Sequence, residues 1–144
     1  MNQIKPHQLW IGNAGDCRAI SRILGNDIRA VVQLAAEESP VQLTRELISC
    51  RFPLLDGTEN DADLIDLAVR CVAILVERGI PTLVCCGAGM GRCPAIVAAA
   101  LSRVNHSDLG ESLEAVAKVH PADVSPGFWK EVCDSVNSPR GPTL

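Results

Sequence analysis

The chain has 144 residues, a net charge of −4 and 47% hydrophobic residues, which is typical of one globular domain and not of a disordered chain. Its acidic balance and the lack of any basic run argue against a nucleic-acid partner, because phosphate backbones bind clustered Lys and Arg. The first residues lack the apolar stretch of a secretory signal, and the apolar stretch 94–101 is too short to span a membrane. We therefore expect a cytoplasmic protein without membrane association, and a monomer as its simplest state.

The cysteines point to free thiols. There are seven, an odd number at irregular spacing, and no Cys-x-x-Cys pair occurs. This pattern predicts neither a disulfide framework nor a zinc site. Free thiols fit a reducing compartment, and no metal or other cofactor is expected.

The elements predicted along the chain alternate between strands and helices. The first half gives a strand at 9–12, a helix capped by Asp16 and ended by Gly25, a strand at 28–34, a short helix before Leu47 and a strand at 48–54. The second half gives a helix from Asp61 to Gly79, a strand at 82–85, a glycine-rich segment at 87–91, a helix from about Arg92, and helices at 108–119 and 126–136. The helix after Arg92 is apolar on all sides, which predicts a central, buried position. The alternation predicts a single α/β domain, residues 1–137, with a central, mainly parallel sheet flanked by helices, and a flexible tail at 138–144.

The segment that carries chemistry is Cys-Gly-Ala-Gly-Met-Gly-Arg at residues 86–92. A strand delivers Cys86 and a helix begins at Arg92, so the backbone N–H groups between them can form an anion-binding nest. The guanidinium of Arg92 matches two phosphate oxygens, and the same groups would lower the pKa of the Cys86 thiol. The residues expected to bind phosphate are Gly87, Ala88, Gly89, Met90, Gly91 and Arg92. Alone, such a turn can also be a tight connection or a passive anion site, since buried cysteines are usually inert.

A strand-borne cysteine, five residues and an arginine that opens a helix resemble the signature loop of the protein tyrosine phosphatase superfamily. The flanking segments 9–14, 31–38 and 124–126 resemble its dual-specificity branch, so the resemblance covers residues 8–136. It implies the protein tyrosine phosphatase-like fold and hydrolysis of phosphate monoesters through a phosphocysteine intermediate on Cys86. The implied substrates carry phosphotyrosine, with phosphoserine and phosphothreonine as further candidates.

The resemblance also implies a proton donor. In the family, a loop aspartate some thirty residues before the cysteine protonates the leaving oxygen, and Asp56 lies 30 residues before Cys86. Such acid catalysis contributes about 10²–10⁴-fold. Asp56 could also be an ordinary turn residue, because Asp-Gly is common in turns. The rival acid, Asp61, stands before an apolar helix and is better explained as its N-cap.

Two positions depart from the family's pattern. Cys85 stands where a histidine usually precedes the nucleophile, and Cys93 stands where a serine or threonine usually follows the arginine. Because a thiol is a weak hydrogen-bond donor, we expect slow hydrolysis of the phosphoenzyme. The alternative is a phosphate-binding pseudophosphatase with little turnover. Cys93 or Cys71 could trap oxidised Cys86 as a disulfide, although plain burial of these thiols is the simpler expectation.

Substrate and partner are less defined by the sequence than the reaction. The chain contains no tyrosine, so the tyrosine that walls the deep phosphotyrosine slot of the larger enzymes is absent and a shallow pocket is implied. The loop lacks the lysines that meet extra phosphates in inositide phosphatases. The expected partner is a phosphorylated protein or a small phosphate monoester. A rhodanese-like sulfur transferase also uses a strand-delivered cysteine, but its loop normally has another length. The histidines, His7, His106 and His120, lack metal-ligand spacing and are expected at the surface.

Overall fold

The structure is a computed structural model that describes residues 1–138. Within that range one sheet is formed by β1 (Asn2–Gln3), β2 (Leu9–Gly12), β3 (Ala30–Ala35), β4 (Ile48–Leu54) and β5 (Thr82–Cys85). The strand order is β1-β2-β5-β3-β4, and every pairing is parallel except that of β1 with β2. The predicted α/β fold with a mainly parallel sheet is therefore confirmed. The short antiparallel edge strand β1 was not predicted.

Helices cover both faces of this sheet. They are α1 (Ala14–Arg18), α2 (Ile20–Gly25), α3 (Ala62–Glu77), α4 (Arg92–Asn105), α5 (Leu109–Ala117) and α6 (Pro126–Asn137). The central helix is α4, in which every residue from Arg92 to Leu101 is buried, as its apolar sequence predicts. No helix in the described part of the chain is both long and apolar enough to cross a membrane.

The central strand β5 contributes to a hydrophobic cluster on each face of the sheet. Val84 packs into the larger cluster together with α3, α4 and α6. Leu83 and Cys85 pack into a smaller cluster under α1, α2 and the segment 41–47. Successive side chains of a strand point to opposite faces, so the chain leaving β5 at Cys86 returns to the larger cluster, on the α4 side.

Three local predictions are wrong. The single helix expected up to Gly25 is divided at Ala19 into α1 and α2. The first helix is not capped by Asp16: Asn13 is the N-cap of α1, and Asp16 is the third helical residue, whose carboxylate accepts from the Asn13 backbone N–H at 2.8 Å. The short helix expected before Leu47 is absent. There Val41 donates its backbone N–H to the Gln33 side chain at 2.9 Å, and the segment packs in an irregular conformation against the smaller cluster. Burial of its apolar side chains thus outweighs helix propensity.

The predicted domain boundary at residue 137 lies at the end of the last helix. Helix α6 ends at Asn137 and Ser138 is its C-cap. The rest of the predicted tail, 139–144, lies outside the described residues.

Candidate active site

Residues 86–92 form a compact loop between β5 and α4. The Gly87 carbonyl accepts a hydrogen bond from the Ala14 backbone N–H at 3.0 Å, and the Met90 carbonyl accepts one from the Asp123 backbone N–H at 2.7 Å. In a planar trans peptide the C=O and N–H groups point in opposite directions. Because these carbonyls point to segments outside the loop, the N–H groups of the following residues point the other way, toward the inside of the loop. An anion nest requires this arrangement.

Gly89 is the position in this loop where glycine is required by both backbone angle and space. Its φ of +77° lies in the left-handed region, and a Cβ there would lie 2.7 Å from the Gly12 carbonyl oxygen. The loop therefore packs directly against the end of β2.

Cys86 lies at the base of the loop and is 3% exposed. The pKa of the Cys86 thiol is lowered to about 6, chiefly by its hydrogen bond with the Cys93 side chain. The Cys93 and Gly89 N–H groups and the charge of Arg92 lower it further, and burial opposes them. Cys86 is thus largely a thiolate at neutral pH.

Cys93 keeps its proton. Burial, followed by contact with Cys86, raises the pKa of Cys93 well above its usual range. Its sulfur also lies 3.9 Å from the Gly12 carbonyl oxygen, so one proton has two possible acceptors. The anionic sulfur of Cys86 is the stronger acceptor, and 3.9 Å is long, so the proton points to Cys86 whenever Cys86 is ionised. Cys93 therefore lies beside Cys86 as a protonated thiol at the position where the family usually has a hydroxyl.

Arg92 is fixed by a carboxylate that the sequence interpretation missed. Its two terminal nitrogens each lie 2.6 Å from an oxygen of Glu37, and one of them also donates to the Leu54 carbonyl at 2.8 Å. The hydrogen bond from Arg92 holds the pKa of Glu37 at about 2, so the pair stays ionised. The strand order explains the contact: Glu37 follows β3, next to the strand that delivers Cys86, and the carboxyl ends of neighbouring parallel strands meet at one edge of the sheet.

The Nε atom of Arg92 has no protein partner in the described structure, although it is buried. A buried donor without a partner costs about 1–3 kcal/mol, more when it is charged. Glu37 and the Leu54 carbonyl take three of the five guanidinium N–H groups, so the Nε–H and one terminal N–H are left to meet an anion next to Cys86. This arrangement suits an oxyanion bound between the loop amides and the guanidinium.

Asp56 lies at the exposed rim of the loop. Its Oδ1 atom is 3.1 Å from the position that a Cβ on Gly91 would occupy. The pKa of Arg92 is raised chiefly by its hydrogen bond with Glu37, and the charge of Asp56 adds to this effect. Asn60 holds the turn that carries Asp56, because its side chain accepts from the Leu55 N–H at 2.7 Å and donates to the Leu55 carbonyl at 3.1 Å. The structure thus brings Asp56 against the loop that carries Cys86 and Arg92. The rival, Asp61, is the N-cap of α3, as expected.

Cys85 and Cys71 each contact another thiol, away from this loop. The Cys85 thiol faces the smaller cluster, and its hydrogen bond with Cys17 and its burial raise its pKa. Burial and contact with Cys50 raise the pKa of Cys71 to about 12. Of the two thiols considered as redox partners of Cys86, Cys93 is the one in contact with it.

The surface placement predicted for the histidines is wrong for His120. His106 is exposed and His7 half-buried, but His120 is 7% exposed and its Nε2 lies 2.6 Å from the Gly89 carbonyl oxygen. Its Nδ1 lies 2.9 Å from the Asn2 side-chain amide. No metal centre competes for these groups, since residues 1–138 contain no cluster of three or more His, Cys, Asp or Glu side chains that could hold a metal ion.

A family model agrees with this loop and fold. It is described as "Tc-R-P: Polymorphic toxin system, DSP-PTPase phosphatase", and it matches residues 16–106. The chain therefore belongs to the DSP-PTPase phosphatases, the dual-specificity branch that the sequence resembles. A search among curated proteins finds no significant match.

Solved structures share the fold over nearly the whole chain. Human DUSP28 has 21% identity and a TM-score of 0.83, with 96% of this chain and 96% of that chain covered. A mouse putative dual specificity phosphatase complexed with zinc tungstate has 22% identity and a TM-score of 0.82, with 95% and 86% covered. A human tyrosine phosphatase-like serine/threonine/tyrosine-interacting protein has 15% identity and a TM-score of 0.77, with 93% of each chain covered. At these identities the likeness concerns the fold.

Proposed function

We propose that this protein hydrolyses phosphate monoesters through a phosphocysteine intermediate on Cys86. The observation that carries the proposal is the pairing of a depressed thiol pKa, about 6, with the buried and unpartnered Nε donor of Arg92 in the same loop. An inert structural cysteine has no need of either feature, whereas a nucleophile that attacks a bound oxyanion needs both.

In the first step the phosphate binds to the amides of residues 87–91 and to Arg92. The Cys86 sulfur attacks phosphorus, an S–P bond forms and the ester P–O bond breaks. Asp56 protonates the leaving oxygen, which matters most for alkyl or aryl oxyanions that are poor leaving groups. The position of Asp56 beside Gly91 supports this role.

In the second step Asp56, now a carboxylate, takes a proton from water. The water oxygen bonds to phosphorus, the S–P bond breaks and inorganic phosphate leaves. Cys93 donates to the departing Cys86 sulfur, the contact already present in the free protein. Because S–H is a weaker donor than O–H, this step is expected to be slower than the first.

The substrate class proposed is an aryl phosphate, phosphotyrosine first, with phosphoserine and phosphothreonine next. The loop side chains are small or apolar, and Met90, 40% exposed, is the large one among them. A phosphorylated protein or a small monoester fits this neutral rim better than a multiply phosphorylated inositide. We also propose residues 1–137 as the catalytic domain, so a chain that ends at 137 should keep full activity.

The alternative is a phosphate-binding pseudophosphatase. Cys85 and Cys93 at the positions of the usual His and Ser/Thr favour it, and the shared fold does not argue against it, because one similar structure is described as a phosphatase-like interacting protein. The depressed pKa of Cys86 and the donor contact from Cys93 support turnover instead.

Rapid mixing with p-nitrophenyl phosphate distinguishes these functions. We expect a burst of nitrophenol equal to the enzyme concentration, followed by a slower steady rate, and no burst from Cys86→Ser. Asp56→Asn should remove the basic limb of the pH–rate profile. Asp61→Asn, which keeps an N-cap side chain for α3, is the control and should leave that profile unchanged. The phosphate-binding alternative would be established if the wild type gave no burst and if vanadate binding persisted in Cys86→Ser but not in Arg92→Ala.

A further inference from the structure

Three carbonyl groups of the phosphate loop are held from outside, one by Ala14 in α1 and two by the connection between α5 and α6. Ala14 and Asp123 use backbone N–H groups for the Gly87 and Met90 carbonyls. The third anchor is a side chain, His120, whose Nε2 lies 2.6 Å from the Gly89 carbonyl oxygen. It is therefore the anchor that a substitution can remove without altering the backbone.

The second contact of His120 defines which nitrogen carries the proton. The side-chain nitrogen of Asn2, 2.9 Å from Nδ1, is a donor only. Nδ1 must then accept, so the proton is on Nε2 and the neutral ring donates to the Gly89 carbonyl. The two contacts use different ring nitrogens, so a substitution can remove one contact and keep the other.

The peptide that His120 holds follows a glycine, so it has unusual freedom to rotate. Gly89 has a φ of +77°, a region open to glycine at low cost, together with most other backbone conformations. Rotation of the Gly89–Met90 peptide would turn the carbonyl oxygen toward the bound anion and remove the Met90 N–H from the cradle. A carbonyl dipole facing an oxyanion is repulsive, so a single rotated peptide would weaken binding twice over.

We propose that His120 is a positioning residue for the phosphate loop, which keeps the Gly89 carbonyl turned outward and the Met90 N–H available to the substrate's phosphoryl oxygens. This deepens the proposed function and rests on it, since the ligand meant is the phosphate of the substrate. His120 itself touches neither substrate nor the reacting sulfur in this account.

Two substitutions separate the contacts of His120. His120→Gln places an amide N–H at the ε position and keeps a donor for the Gly89 carbonyl. His120→Asn places its amide at the δ position, so it can keep the contact with Asn2 and loses the donor to the loop. Both remove the ring, so a loss caused only by poorer packing should affect them alike.

The measurement is vanadate inhibition together with kcat/KM for p-nitrophenyl phosphate and the Tm of each variant. We expect His120→Asn to weaken vanadate binding and to lower kcat/KM by about tenfold each, the size of one hydrogen bond to a bound anion. His120→Gln should stay within about threefold of wild type in both. Asn2→Ala, which removes the partner on the other side of the ring, should also stay within about threefold.

Equal vanadate affinity in His120→Asn and wild type would overturn the role of His120 and leave the phosphatase function intact. Equal losses in the Asn and Gln variants, tracking a common fall in Tm, would also overturn it, because they indicate packing alone. A wild-type protein that binds no vanadate would defeat the proposed function and this inference together.

Discussion

Replacing Cys93 by alanine should raise the pKa of Cys86. The Cys93 thiol supplies the largest of the contributions that bring that pKa down from 9.0 to about 6. A hydrogen bond to a charged group contributes about 1.5–3 kcal/mol, and one pKa unit corresponds to about 1.4 kcal/mol, so its loss should move the midpoint up by about one to two units. At pH 6 the thiolate fraction of Cys86 should then fall from about one half to less than about one tenth.

The assay is the pH dependence of iodoacetamide alkylation at Cys86, followed by peptide mass spectrometry so that the other thiols do not interfere. Because the depressed pKa favours the anion, reactivity in the wild type should be present above pH 6 and lost as the pH falls through that value. Cys93→Ser, which restores a hydroxyl donor, should have a midpoint at or below that of the wild type. A Cys93→Ala midpoint within a few tenths of a unit of the wild type, in a protein of unchanged Tm, would refute the reasoning.

Three further outcomes follow from the same loop. Glu37→Gln should weaken vanadate binding by about tenfold because it removes the charged anchor of the guanidinium, and it should leave the acidic limb of the pH–rate profile in place, since the pKa of Glu37 is about 2 and the pair is already ionised there. Gly89→Ala should abolish activity and lower the Tm, because its Cβ would meet a backbone oxygen at 2.7 Å. Gly25→Ala is the matched control and should change neither, since a Cβ there would have nothing within 4 Å and the residue has no positive φ. Mild peroxide should convert the Cys86 thiolate to a sulfenic acid that condenses with the Cys93 thiol to a disulfide, releasing water. The intact mass and the recovery of activity with dithiothreitol measure this disulfide, and irreversible inactivation of the wild type would contradict it.

The elements that the sequence predicts well are those with a strong local signal. Strand Ile48–Leu54 and the buried helix that begins at Arg92 were predicted with their observed starting residues, because a β-rich run and an all-apolar helix leave few alternatives. The helix expected before Leu47 failed because its apolar residues are buried by long-range packing that no local pattern reveals.

The residues of the candidate site also divide into those with a local sequence signal and those placed by long-range contacts. Cys86 and Arg92 are linked by a short, fixed spacing, so a motif can place them. Glu37 lies 55 residues from Arg92 and meets it only because β3 and β5 are neighbours in the sheet. His120 approaches the loop from a connection between two helices, 31 residues from Gly89 along the chain. Contacts of this kind depend on topology and could not be deduced before the strand order was known.

The contrast between the buried base of the loop and its exposed rim has a practical consequence. Cys86 follows β5, in which every residue is buried, and Arg92 begins the buried helix α4; each of the two side chains is 3% exposed. Asp56 and Met90 are exposed, on segments that contribute little to the core. Under the proposed function, substrate preference can therefore diverge, in evolution or in the laboratory, by exchange of the Met90 side chain, while Cys86 and Arg92 keep their geometry.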